Sequence, residues 1–272
     1  ANDINMVEGE AKEISESEMV EALKFAHEYI KKQCQAQLDF VELAGGKKPR
    51  LEYTHETKDE SLKARIYEFG KTKYETISKG NLGKKERTDA YKAVVEEFVA
   101  SLPEDHTEDS GLIKKYFHDL QYDVVRAMIT NDRKRLDGRS LDQVRPIWTE
   151  VDYLPSAHGS AIFTRGETQS LTSVTLGTKL DEQMLDSPMN SGTTKFILHY
   201  NFPAFSTGEV KPNRGPGRRE IGHGNLAMRG LRMMLPEGTD NPYTIRVVSD
   251  ILESNGSSSM ATVCAGSMAL MD

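Results

Sequence analysis

The chain has 272 residues, 37% of them hydrophobic and 28% charged, enough for one large core or two ordinary ones. No apolar run reaches the 18 residues a membrane-spanning helix needs, and residues 1–6 lack the basic-then-apolar pattern of a secretory signal. Two cysteines, Cys34 and Cys264, exclude a disulfide framework and suit a reducing cytoplasm, while a net charge of −7 excludes whole-molecule attraction to nucleic acid and leaves only local basic patches. The chain opens without Met on a strand-like stretch at 4–7, which points to a fragment or a processed chain.

Charge divides the sequence near residue 133. Residues 1–133 carry 21 Lys and Arg against 27 Asp and Glu, with 7 glycines; residues 134–272 carry 14 against 15, with 14 glycines. A charge-dense, glycine-poor half followed by a charge-sparse, glycine-rich half predicts helices first and strands second. Ser15 and Glu18 form a capping-box pattern. From there Val20, Leu23, His27, Ile30, Cys34, Leu38 and Val41 keep one helical face for six turns, until Gly45, Gly46 and Pro49. His27 and Cys34 lie on that stripe and read as packed core, since no third ligand stands at metal spacing.

Three shorter helices follow. Leu62, Ile66 and Phe69 make a stripe expected to stop at Gly70. Tyr91, Val94, Val95, Phe98 and Leu102 make a second, ended by Pro103, and Ile113, Tyr116, Phe117, Leu120, Val124 and Met128 make a third. The acidic run at 104–109 reads as a solvated loop. Gly70-Lys71-Thr72 resembles the end of a phosphate-binding P-loop, but Arg65 stands where the first glycine must be, so that reading is rejected.

After Asp137-Gly138-Arg139 the period changes. Residues 147–154, 160–163, 170–176 and 196–200 are short β-prone runs; 219–235 reads as a helix, 243–248 as a buried strand and 259–271 as a small-residue helix. Two places between them concentrate polar groups. Residues 211–232 hold six basic side chains, Lys211, Arg214, Arg218, Arg219, Arg229 and Arg232, against the single acid Glu220; arginine offers a planar fork of donors to phosphate oxygens. Residues 253–260, Glu-Ser-Asn-Gly-Ser-Ser-Ser-Met, link a strand to a helix. Serines there present hydroxyls and unpaired amides at the positive end of a helix dipole, which is an anion site. Ordinary serine capping is the competing reading.

Together, Asp137-Gly138-Arg139, Val144-Arg145-Pro146-Ile147, the run from His158 to Gln169, Arg218-Arg219-Glu-Ile-Gly-His223-Gly and the serine loop resemble the polynucleotide phosphorylase family along essentially the whole chain. The resemblance implies an α+β fold: an all-helical bundle followed by a partial RNase PH-like core of mixed sheet with packed helices. It also implies a three-part division, with 1–44 as the last strand and closing helix of a first core, 45–133 as a helical linker domain, and 134–272 as the first part of a second core. The activity implied is 3′-to-5′ phosphorolysis of RNA by a ring-shaped homotrimer. Phosphate would lie against Ser257, Ser258, Ser259, Arg218 and Arg219, with His223 in a supporting role, and Arg165, Lys211 and Arg214 would meet RNA. The family's Mg²⁺ ligands are expected beyond Asp272, which would leave the chain inactive alone. Against this stand a catalytically silent RNase PH-like subunit and a hydrolytic relative, neither of which needs a phosphate cradle.

Overall fold

The computed structural model describes all residues except 1, 10, 54–57, 104–106, 188, 213, 214 and 237. The chain forms two compact units, Ala1–Asp59 and Glu60–Asp272. In the first, helix α1 (Glu16–Leu43) starts at the expected capping box: the Glu18 amide donates to Ser15 Oγ at 3.3 Å, and the Ser15 amide donates to Glu18 Oε2 at 2.9 Å. These bonds, the one to the Ser15 backbone foremost, hold the Glu18 carboxyl below its ordinary range. Leu23, His27, Cys34 and Val41 do share a stripe, but it is only half-buried, and no residue of α1 is buried. Among the described residues of this unit His27 and Cys34 are half-buried, not the packed core expected. The strand expected at 4–7 is irregular and exposed, because a strand needs a neighbour to satisfy its backbone and this unit contains no other described strand.

The second unit opens with helices α2 (Glu60–Lys79), α3 (Lys84–Ala100) and α4 (Ser110–Asn131) around one cluster that includes Ile66, Tyr74, Phe98, Phe117 and Leu120. Gly70 does not stop α2, which runs on for nine residues. An added Cβ there would stand 2.8 Å from Leu120 Cδ2 and 3.1 Å from Phe117 Cε1, so glycine serves close helix approach, not termination. Its place inside a helix also confirms that Gly70-Lys71-Thr72 is no phosphate loop. Phe117 packs edge-on against Phe98 at 5.4 Å between ring centres and stacks with Tyr74 at 5.8 Å. The buried Ser78 donates to the Tyr74 carbonyl at 2.7 Å and meets the Tyr91 hydroxyl at 2.8 Å, so the polar groups in this core are paired.

The remainder is built on a five-stranded sheet. In chain order come β1 (Ile147–Val151), β2 (Gly159–Arg165), β3 (Gln169–Gly177), the hairpin β4 (Gln183–Ser187) with β5 (Asn190–Thr194), then β6 (Phe196–Asn201), helix α5 (Arg218–Arg232), β7 (Thr244–Glu253) and helix α6 (Ser258–Met271). The order across the sheet is β1-β2-β3-β7-β6, antiparallel except for the parallel pair β6 and β7, while β4 and β5 form a separate ribbon. This is the expected mixed sheet; the ribbon was not expected.

Helix α6 lies close against β2 and β3 because both surfaces are small. An added Cβ at Gly159 would collide with the Ala269 carbonyl oxygen. Beneath the helix, Ser170, Ser249 and Thr262 link their buried hydroxyls at 2.9 and 2.8 Å, which satisfies groups that would otherwise be costly to bury.

One topological feature positions the site. β6 and β7 are parallel, so α5 must carry the chain back between them. Both strands therefore end on the same side, and each is followed by a helix that starts there: α5 after β6, α6 after β7. In open α/β sheets, ligands favour the carboxyl ends of such strands.

Candidate active site

An open cavity of about 1030 Å³ lies at those strand ends. It is lined from β6 by Tyr200, from the following loop by Phe202, Phe205 and Lys211, from α5 by Arg219 and His223, from the serine loop by residues 254–258, and from the start of α3 by Lys84. The basic loop and the serine loop, 38 residues apart between Arg219 and Ser257 in sequence, thus share one wall-to-wall space.

Tyr200 is the buried hub of this cavity, 5% exposed. Its hydroxyl lies 2.7 Å from Ser258 Oγ, and burial raises its pKa. Its ring stacks on His223 with centres 5.5 Å apart and planes 18° from parallel. His223 Nε2 accepts from Arg219 Nε at 3.4 Å, one helical turn back on α5. That bond assigns the ring proton to Nδ1, which is buried and meets no partner among the described residues. A buried donor of this kind calls for an acceptor beyond the described residues.

Glu220 anchors the start of α5 instead of facing a ligand. Its carboxylate accepts from the Gly217 amide at 2.6 Å and the Phe202 amide at 3.2 Å. At α6, Ser257 takes the cap position with φ 50° and ψ 47°, and its side chain makes no capping bond. Ser257 is therefore not spent on ordinary capping, and the first-turn amides of α6 lack intrahelical partners.

The structure brings together Arg219, His223, Ser257 and Ser258. Arg218 is exposed at the first position of α5 and Ser259 is buried in α6; neither lines the cavity. Lys211 lines it while paired with Glu209. Arg165 is turned onto the backbone of the serine loop, donating to the Gly256 and Ser257 carbonyls at 3.0 and 3.2 Å. Arg214 lies outside the described residues. Tyr200 and Lys84 were missed from the sequence: Tyr200 was legible only as a strand residue, and Lys84 reaches the cavity from a different helix cluster.

Among the described residues no three His, Cys, Asp or Glu side chains are grouped to hold a metal. The two acids at the cavity, Glu209 and Glu220, are both engaged. The residues present do not fit a Mg²⁺ ion.

Residues 143–272 match the model described as 3′ exoribonuclease family, domain 1, and residues 61–140 match that of the polyribonucleotide nucleotidyltransferase RNA binding domain. A polyribonucleotide nucleotidyltransferase from Cytophaga hutchinsonii is 61% identical over all of this chain, which covers 38% of that relative. One from Bacteroides fragilis is 57% identical over 99% of the chain, again covering 38% of the relative. The chain therefore spans under two fifths of the length of these curated relatives. A solved Archaeoglobus fulgidus exosome with RNA bound to the active site shares 22% identity, over 56% of this chain and 61% of its own, at a TM-score of 0.41.

Proposed function

We propose, for a chain that belongs to the polyribonucleotide nucleotidyltransferase family, that this cavity holds inorganic phosphate for the 3′-to-5′ phosphorolysis of RNA to nucleoside diphosphates. The observation that carries the reading is the single cavity shared by Arg219, His223 and the serine loop. In the reaction an oxygen of inorganic phosphate forms a new bond to the terminal phosphorus. The 3′ oxygen of the preceding nucleotide leaves with the bonding pair, and the released nucleotide carries both phosphates.

Negative charge spreads over nonbridging oxygens in such a transition state, and donors fixed beforehand stabilise it without reorganising. Arg219 supplies a charged fork of donors, the α6 amides and the Ser257 hydroxyl supply fixed neutral ones, and His223 Nδ1–H supplies one more. Phe202 and Phe205 offer apolar and aromatic surface to a nucleotide beside them. Ser259 enters through its first-turn amide of α6, and Arg218, Lys211 and Arg214 carry the phosphate and RNA contacts that the family motif implies. Mg²⁺ belongs to the family expectation with its ligands beyond Asp272, and the described residues of this cavity would not hold it.

The same reading carries the division at 1–44, 45–133 and 134–272; the separate cores of the helix cluster and the sheet support its second boundary, whereas the compact units divide at 59/60 and not at 44/45. It also carries a homotrimer acting on RNA in the cytoplasm. Two free, half-buried cysteines suit that compartment, and no helix among the described residues is long and apolar enough to cross a membrane.

The test is product analysis on a polypeptide of the relatives' full length, given poly(A) with and without phosphate. Nucleoside diphosphates released only with phosphate support the reading. Monophosphates released regardless of phosphate would establish hydrolysis, and no release at all would favour the silent subunit.

A further inference from the structure

Four consecutive carbonyls of the serine loop accept hydrogen bonds from side chains outside it. The Ser254 oxygen accepts from Lys84 Nζ at 3.2 Å, and the Asn255 oxygen from Arg145 Nη2 at 2.8 Å. The Gly256 oxygen accepts from Arg165 Nη2 at 3.0 Å and Thr168 Oγ1 at 3.3 Å, and the same Arg165 nitrogen reaches the Ser257 oxygen at 3.2 Å. No peptide bond among the described residues is cis. In a trans peptide the following N–H points opposite to the carbonyl. Holding the oxygens of residues 255–257 against two guanidinium groups therefore aims the amides of residues 256–258 away from them.

The backbone here needs such support. Gly256 has φ +91°, and Ser257 has φ +50°, a region a serine rarely occupies unless its surroundings over-determine it. The guanidinium charges are also spent in an unusual way: among the described residues neither Arg145 nor Arg165 is ion-paired, and Arg145 Nη1 is buried without an acceptor. Asp137 and Glu167 offset part of the Arg145 charge while Arg165 and Arg139 oppose it, and the amides of the turn face away from both guanidinium groups, where an anion would meet them.

We infer that Arg145 and Arg165 are positioning residues, a guanidinium clamp that fixes the amides of residues 256–258 in the orientation that receives phosphate. The inference rests on the phosphate reading of the cavity. It gives Arg165 a different task from the RNA contact that the sequence motif suggests.

The experiment uses a polypeptide of the relatives' length carrying Arg165→Met, Arg165→Lys or Arg145→Met, with two readouts. The first is amide exchange at residues 256–258, with β2 and β3 as the folding control. The second is steady-state phosphorolysis at varied phosphate, beside RNA affinity measured without phosphate. Losing one charge-assisted contact should speed loop exchange and raise KM for phosphate by about tenfold or more, with RNA affinity held within about twofold. Arg165→Lys, which keeps the charge but not the fork, should fall between.

Loop exchange unchanged in both Met variants overturns the clamp. So does RNA affinity that falls while KM for phosphate stays constant. If β2 and β3 loosen in the Met variants, Arg165→Lys decides by the same loop readout. If the unmodified protein uses no phosphate while the variants still loosen the loop, the functional reading fails and the positioning role stands.

Discussion

The Tyr200 hydroxyl lies 2.7 Å from Ser258 Oγ, tying the last turn of strand β6 to the first turn of helix α6 across 58 residues of chain. The contact is buried, and the same ring stacks on His223. One tyrosine therefore sets the distance between the two polar clusters that face the cavity.

Changing Tyr200 to Phe removes that hydroxyl and leaves Ser258 Oγ buried without it. The loss should cost about 1–3 kcal/mol, the penalty for an unsatisfied buried polar group, read as a lower midpoint in urea denaturation. KM for phosphate should rise as well, since the first turn of α6 loses its tie to β6. A variant as stable as the parent with unchanged KM would show the contact to be incidental.

Gly70→Ala tests the helix cluster. Helix propensity alone favours alanine by about 1 kcal/mol, so the direction of the effect is diagnostic. The new methyl would meet Leu120 at 2.8 Å and Phe117 at 3.1 Å, and both side chains are buried. Overpacking of this kind costs roughly 1–3 kcal/mol, so the thermal midpoint should fall. A rise would mean that α2 and α4 can separate freely.

Sequence alone told most of this fold and part of the site, and the failures share a cause. Ser15 and Glu18 were readable because a cap is a local device, completed within three residues. Gly70 was misread as a stop because the same residue serves termination and close packing, and only the facing helix tells which. Ile4 and Val7 have strand character but no strand partner in their unit. The β4–β5 ribbon escaped because Gln183 to Ser187 and Asn190 to Thr194 carry little apolar alternation. At the site, Arg219 and the serines advertised their chemistry by type and spacing. Arg145 and Arg165 did not, because their targets are backbone carbonyls about ninety or more residues away.

Alkaline pH should unfold the protein through its tyrosines. Burial pushes the pKa of Tyr74 up to about 12 and also raises that of Tyr200. A group whose folded pKa is raised contributes stability that is complete below the unfolded value, near 10, and is lost as pH rises toward the folded value. Stability should therefore decline between about pH 10 and 12, and the absorbance of buried tyrosinate should appear together with loss of tertiary structure. Full tyrosine ionisation in a still-folded chain would contradict the packing of the helix cluster.

The most direct measurement of the central claim is a phosphate titration of the 272-residue chain, followed at the backbone amide resonances of Ser257, Ser258 and Ser259. A few charge-assisted hydrogen bonds, offset by association costs, place the dissociation constant on the order of 1 mM. The account predicts saturable shifts at these amides and at Gly256, and their disappearance when Arg219 is changed to Ala. Shifts confined to other surfaces, or shifts at the serine loop that survive Arg219→Ala undiminished, would contradict it.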